Sequence, residues 1–300
     1  MAESRVSIDD NTRRRPPFTP EVTKPGAIMP VQKDPKTGRR FIAVETEVPG
    51  TPEEVWQAIA TGPGLTAWFV PSELEEWAKG SLTMNFGPGM ESKAEIQEWD
   101  PPRRFTAENK DGMGPGEPPM ATEWTIEAKS GGTCRVRVVH SWLASTDDWD
   151  KQYEDVEKGW PAFFRILESY LLHFRGQPCT QLQLMAFSSD PKEKAWAQLT
   201  QSLGLAGASN GRSVKSAGDA PRLAAVVEHA DAKTELMLRL EQPSPGIAHV
   251  SAMPMGGQVC LYVCLYLYGA EARAIVAREQ PVWQAWLDRL FPAPVEQPDA

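Results

Sequence analysis

The sequence predicts an α+β chain in which a curved antiparallel sheet is laid around a long closing helix, with the same plan repeated in the second half. Three observations predict it. Between Asp148 and Arg175, apolar side chains recur at Trp149, Tyr153, Val156, Trp160, Phe163, Leu167, Tyr170 and Phe174. Steps of four and three residues put them on one stripe of a helix. Upstream, short runs alternate apolar and polar residues between Gly/Pro turns, the period of half-buried strands. The order of strand, two short helices, several strands and long helix then recurs weakly after Pro178.

The closing helix of the first half carries Lys151, Asp155, Glu157, Lys158, Arg165 and Glu168 opposite its stripe, so that face is expected to meet water. Pro161 removes a backbone donor and predicts a bend near Gly159–Pro161.

Three hundred residues suffice for two ordinary domains. The first forty hold nine Lys/Arg against five Asp/Glu, leaving 22 against 35 in the rest. An acidic body argues against nucleic-acid binding, which requires neutralising phosphates. Cys134, Cys179, Cys260 and Cys264 are scattered, as expected of reduced thiols in a cytoplasmic protein. No histidine near Cys260 and Cys264 completes a ligand set, so neither metal nor cofactor is expected. The opening residues contain Arg13–Arg15 and no apolar core, unlike a secretory signal. The most apolar run, from Val259, is too short to span a bilayer. The expected location is the cytoplasm, without membrane attachment.

Residues 1–37 read as a disordered leader and 293–300 as a tail. Order begins at Arg39–Val48, where Ile42, Val44, Thr46 and Val48 oppose Phe41, Ala43, Glu45 and Glu47. Thr51-Pro52-Glu53-Glu54 supplies an N-cap, a first-turn proline and acids that suit a helix start. Val55, Trp56 and Ile59 form its apolar face, Gly62-Pro63-Gly64 stops it, and a second turn covers Leu65–Phe69. Strands follow at Ser81–Phe86 and Ser92–Trp99, then from Phe105, at Thr122–Ala128 and at Thr133–Trp142. In the last, Val136, Val138, His140 and Trp142 share one face and Arg135 and Arg137 the other.

VPGTPEEVWQAIATGPGLTAWFVP, the DPPRRF turn, GGTCRVRVVHSW and GWPAFFRIL, in that order, resemble the SRPBCC (START-like, Bet v 1-like) superfamily. The branch they look most similar to is the domain related to the activator of Hsp90 ATPase. The resemblance covers about residues 39–175 and implies a helix-grip fold, often with an apolar cavity between sheet and helix. The first domain is placed at 38–176 and a degenerate second copy at 178–292. Trp196, Gly204 and Leu205 follow Trp56, Gly64 and Leu65 at a constant offset, and the segment Trp283–Leu290 echoes Trp160–Leu167. Strand-like pieces lie at Thr180–Ser188, Leu223–Glu228, Glu235–Glu241, Gly246–Met253 and Gln258–Tyr268. The last is apolar on both faces and should be covered on both. Its Tyr262, Tyr266 and Tyr268 face is expected to meet the first half, a protein partner or a second copy.

No Ser–His–Asp spacing, phosphate loop, dinucleotide fingerprint or HExxH stands out. The cavity candidates are Trp68, Phe69, Met84, Phe86, Trp124, Ile126, Val138, His140, Trp142, Trp160 and Phe164. Aromatic residues at such positions either line a ligand cavity or fill a core. His140 is either a general base, with Asp147 or Asp148 beside it, or a hydrogen-bonded rim residue; no catalytic residue is assigned. The expected function is non-enzymatic binding of a small hydrophobic molecule in the first half. Its rivals are a chaperone-regulator-like protein-binding module and a polyketide cyclase or dehydratase.

Overall fold

A computed structural model describes residues 31–35, 38–87, 89–112, 118–142, 159–231 and 233–292. The first half runs β1 (Gln32–Lys33), β2 (Arg40–Pro49), α1 (Pro52–Ile59), α2 (Gly62–Thr66), β3 (Ser72–Leu74), β4 (Ser81–Asn85), β5 (Glu91–Asp100), β6 (Arg104–Asn109), β7 (Met120–Ala128), β8 (Thr133–Trp142) and α3 (Trp160–His173). The second runs β9 (Cys179–Ser188), α4 (Lys192–Ser202), β10 (Ser213–Lys215), β11 (Ala224–Asp231), β12 (Glu235–Gln242), β13 (Gly246–Met255), β14 (Gln258–Tyr268) and α5 (Ala272–Leu290).

Both sheets are antiparallel and wound alike. The eight-stranded one has the order β1-β2-β8-β7-β6-β5-β4-β3, the six-stranded one β10-β11-β12-β13-β14-β9. In each, the strand that precedes the helices pairs with the strand that precedes the closing helix. A bulge between Ile96 and Glu98 bends β5, and others interrupt β11 against β12. This is the helix-grip arrangement, present twice.

Local chemistry explains the shared elements. Thr51 and Glu54 close a full capping box on α1, which buries Val55, Trp56 and Ile59. A Cβ on Gly64 would stand 2.0 Å from the Gln57 carbonyl oxygen, so α1 and α2 meet only through a glycine. Gly204, at the equivalent place after α4, has φ +72, and its Cβ would stand 2.8 Å from the Lys215 carbonyl oxygen. Trp196 is buried in the second core as Trp56 is in the first.

Several expectations need correcting. Gln32–Lys33, placed in the disordered leader, pair with Arg40 and Phe41. The described part of the long helix opens at Trp160, so Pro161 occupies its first turn, where no intrahelical donor is lost. Trp149, Tyr153, Val156, Lys151, Asp155, Glu157, Lys158, Asp147 and Asp148 lie outside the described residues, as do 1–30 and 293–300. The polar face of α3 is not wholly in water, because the helix lies between the two sheets. Arg165 pairs with Glu235 at 2.7 Å and Ser169 donates to Glu228 at 2.7 Å, both across the junction.

The Tyr266 and Tyr268 part of the β14 face is taken up within the chain, while Tyr262 is half-buried. Tyr266 is fully buried and Tyr268 nearly so, and Tyr268 stacks on Phe174 at 4.2 Å. Tyr266 Oη donates to the Phe69 carbonyl at 2.9 Å, and Tyr268 Oη to that of Ala67 at 2.7 Å. Gln181 Nε2 donates to the Thr66 carbonyl at 2.6 Å. The carbonyls left over where α2 ends are thus satisfied by the second half. Among the described residues no helix is long and apolar enough to cross a membrane.

Candidate functional site

Strand register decides which side chains look toward α3. β7 and β8 pair so that Thr122 opposes His140, Trp124 opposes Val138 and Ile126 opposes Val136. Opposed residues share a face, and ring contacts identify it. Trp124 lies 5.4 Å and His140 5.8 Å from Trp160, by ring centroids. The same face continues through Phe105 and Ala107 on β6 and Ile96 on β5. It is apolar except near the first turn of α3. There His140 Nδ1 lies 3.0 Å from Thr122 Oγ1, and Asn109 Nδ2 donates to Ser92 Oγ at 3.0 Å.

The cavity candidates divide by depth. Trp68, Phe69, Trp124, Ile126, Val138, Trp160 and Phe164 are buried in one cluster. Trp142 is buried apart from them, with Ile42. In the main cluster each ring has another ring as neighbour. Phe69 stacks on Trp160 at 5.4 Å, Phe105 on Trp124 at 6.0 Å, and Trp68 meets Trp124 edge-on at 6.2 Å. Such offset and edge-on pairs contribute about 0.5–1.5 kcal/mol each beyond their burial. The deep part of the sheet–helix space is therefore occupied by the protein's own side chains. Met84, Phe86 and His140 are only half-buried, together with Phe163 and Thr122. The accessible part lies at the end where α3 begins.

Burial alone holds His140 down to about 4, below the usual histidine range, so its ring is neutral at pH 7. A neutral imidazole held by a hydroxyl can donate or accept one hydrogen bond to a polar group without introducing charge. Glu123 and Glu127 face the other side of the sheet, where they pair with Arg104 at 2.7 Å and Lys129 at 2.9 Å. Among the described residues no group of His, Cys, Asp or Glu is arranged to hold a metal ion. Cys264 is buried against the first half, and its thiol is pushed up to about 12 by that burial.

Sequence reasoning passed over Thr122, Asn109 and Ser92. The signal was present: alternation from Trp124 and Ile126 places Thr122 inward, and alternation from Phe105 and Ala107 places Asn109 inward.

The fold is a helix-grip arrangement, in two copies. Residues 49–172 match the family model described as activator of Hsp90 ATPase homolog 1-like protein. A search of curated proteins found no match. Among solved structures, the di-domain ARO/CYC BexL is 15% identical with a TM-score of 0.42, over 86% of this chain and 100% of that one. CalU16 from Micromonospora echinospora is 18% identical with a TM-score of 0.39, over 48% and 83%. The Aha1 dimer from Colwellia psychrerythraea is 19% identical with a TM-score of 0.37, over 45% and 98%. Likenesses this remote carry no weight beside the topology itself.

Proposed function

We propose that the chain is a cytoplasmic, non-enzymatic binder of a small, largely apolar molecule, held at the open end of the sheet–helix space of a first domain, 38–176. A second, degenerate domain, 178–292, buttresses that site. The observation that carries the reading is the Thr122–His140 pair. It is a half-buried polar pair on a largely apolar face, with the His140 ring 5.8 Å from that of Trp160. Polar groups placed singly in apolar surroundings orient ligands, while the apolar surface supplies affinity at roughly 25 cal/mol per Å² removed from water. Trp160, Phe69, Trp124 and Phe164 would form the floor, and Trp68, Ile126, Val138 and Trp142 its support.

Native mass spectrometry of freshly purified protein tests the reading, since it reports retained ligand and stoichiometry together. Thermal shift with fatty acids and aromatic compounds gives the second measurement. Thr122→Val and His140→Phe are each expected to weaken a bound hydroxylated aromatic by about tenfold, the value of one buried hydrogen bond. No adduct and no shift with any apolar compound would refute the proposal.

A second reading, a chaperone-regulator-like protein-binding module, draws on the family model matched over residues 49–172. It requires an outward-facing patch on the first half. A pull-down with an Hsp90-type chaperone decides it, and absence of saturable binding removes it.

A further inference from the structure

Behind the site just described, the opposite face of the same sheet carries a cavity of about 420 Å³, which shares only Thr122 with that site. Its size lies in the range of small-molecule sites. Phe41, Val139 and Ala121 provide apolar wall, and Arg104 and Arg137 line it from β6 and β8. The two arginines differ. Arg104 is ion-paired with Glu98 at 3.0 Å and Glu123 at 2.7 Å, although its Nε, like that of Arg137, is shut from solvent without an acceptor. Arg137 lies across the ladder from Glu45, but the Glu45 carboxylate stands 3.7 Å from Arg135 instead. Among the described residues Arg137 has no ion-pair partner, and its Nε is shut from solvent without an acceptor. Burial lowers its proton affinity, and the Glu45 and Glu123 carboxylates, too far to pair with it, offset that only in part.

We infer that this cavity is a second binding site, which takes the carboxylate of a small, otherwise apolar acid on the Arg137 guanidinium. The fork of a guanidinium matches a carboxylate through two parallel hydrogen bonds, and such charge-assisted pairs are about twice as strong as neutral ones. The apolar body of the acid lies along Phe41 and Val139. Glu98 and Glu123 pair with Arg104, and neither pairs directly with Arg137.

Calorimetric titration of the full chain with 1-naphthoate, and with uncharged 1-naphthalenemethanol of the same shape, tests the inference. Saturable binding of naphthoate is expected, with the alcohol at least about tenfold weaker, the discrimination of a charge-assisted pair. Arg137→Gln should weaken naphthoate by at least about tenfold. His140→Phe, on the other face, should leave it within about threefold of the parent. Equal binding by Arg137→Gln, or no saturable binding of naphthoate, overturns the site. Loss in the His140 variant alone also overturns it, and moves the acid to the sheet–helix site. Should Arg137→Gln not fold, the Nε–H resonance of Arg137 in the unmodified protein decides. A shift on adding naphthoate supports the site and no shift overturns it.

Discussion

The two halves share a winding but not an interior. Under α5 the second sheet presents Leu182, Leu184, Leu236, Leu238, Leu240, Leu261, Val263, Leu265 and Leu267, an aliphatic face closed by Trp283, Trp286 and Leu287. Under α3 the first sheet presents rings, and at one end the hydrogen-bonded Thr122, His140, Asn109 and Ser92. In the second half the polar side chains have moved to the outer face, where Gln181, Tyr266 and Tyr268 bond to the end of α2. A duplicated grip can thus divide its tasks. One copy keeps polar groups inside, where a ligand meets them, and the other turns them outward, where they hold its twin.

The largest test of that contrast is Trp160→Ala, which removes the ring joining Phe69, Trp124, His140 and Phe164. It should cost about 3–5 kcal/mol in urea melts, the range for large core truncations; a loss under about 1 kcal/mol would mean that α3 does not depend on this contact. Next come the junction tyrosines. Tyr268→Phe leaves the Ala67 carbonyl unanswered and Tyr266→Phe leaves that of Phe69 with only a 3.4 Å bond from Gln181, and each should cost about 1–3 kcal/mol. If calorimetry of either variant still shows one transition at the parent temperature, the outer-face bonds are not what couples the halves.

A third, smaller effect separates the two interiors by pH. His140 in the folded chain binds its proton only near 4, whereas an unfolded histidine does so near 6.5. Its contribution is complete above about 6.5 and is lost as pH falls toward 4, since the unfolded chain takes up the proton first. His140→Gln should flatten that part of the stability curve, by an amount of order 2 kcal/mol. An unchanged curve would show that the surroundings of the ring do not hold it neutral. Smallest is Glu235→Gln, which weakens the partner of Arg165 at the junction and should cost about 1 kcal/mol. A loss beyond about 3 kcal/mol would show the pair to be fully desolvated.

Much of the fold was legible because sheet and helix leave different periods. Alternation at Arg39–Val48 and Thr133–Trp142 gave β2 and β8, and the constant offset from Trp56 to Trp196 gave the second copy. The strands β1, β3 and β10 were not legible, since two or three residues are too few to show a period. Arg165 misled for another reason. Periodicity separates polar from apolar faces, but it cannot tell a face in water from one docked on a second sheet. The candidate site was half legible. Rings announce an interior, whereas Thr122, Asn109 and Ser92 read as ordinary surface residues until register shows which way they turn.

The bonds from Tyr266 and Tyr268 to the backbone at Phe69 and Ala67 have one more consequence. Phe69 belongs both to the floor beneath Trp160 and to the segment these tyrosines hold. A molecule that pushes Phe69 aside must strain a bond anchored almost two hundred residues away in the chain. Occupancy of one lobe and the cohesion of the pair then become linked quantities, and neither can be altered without a reciprocal change in the other.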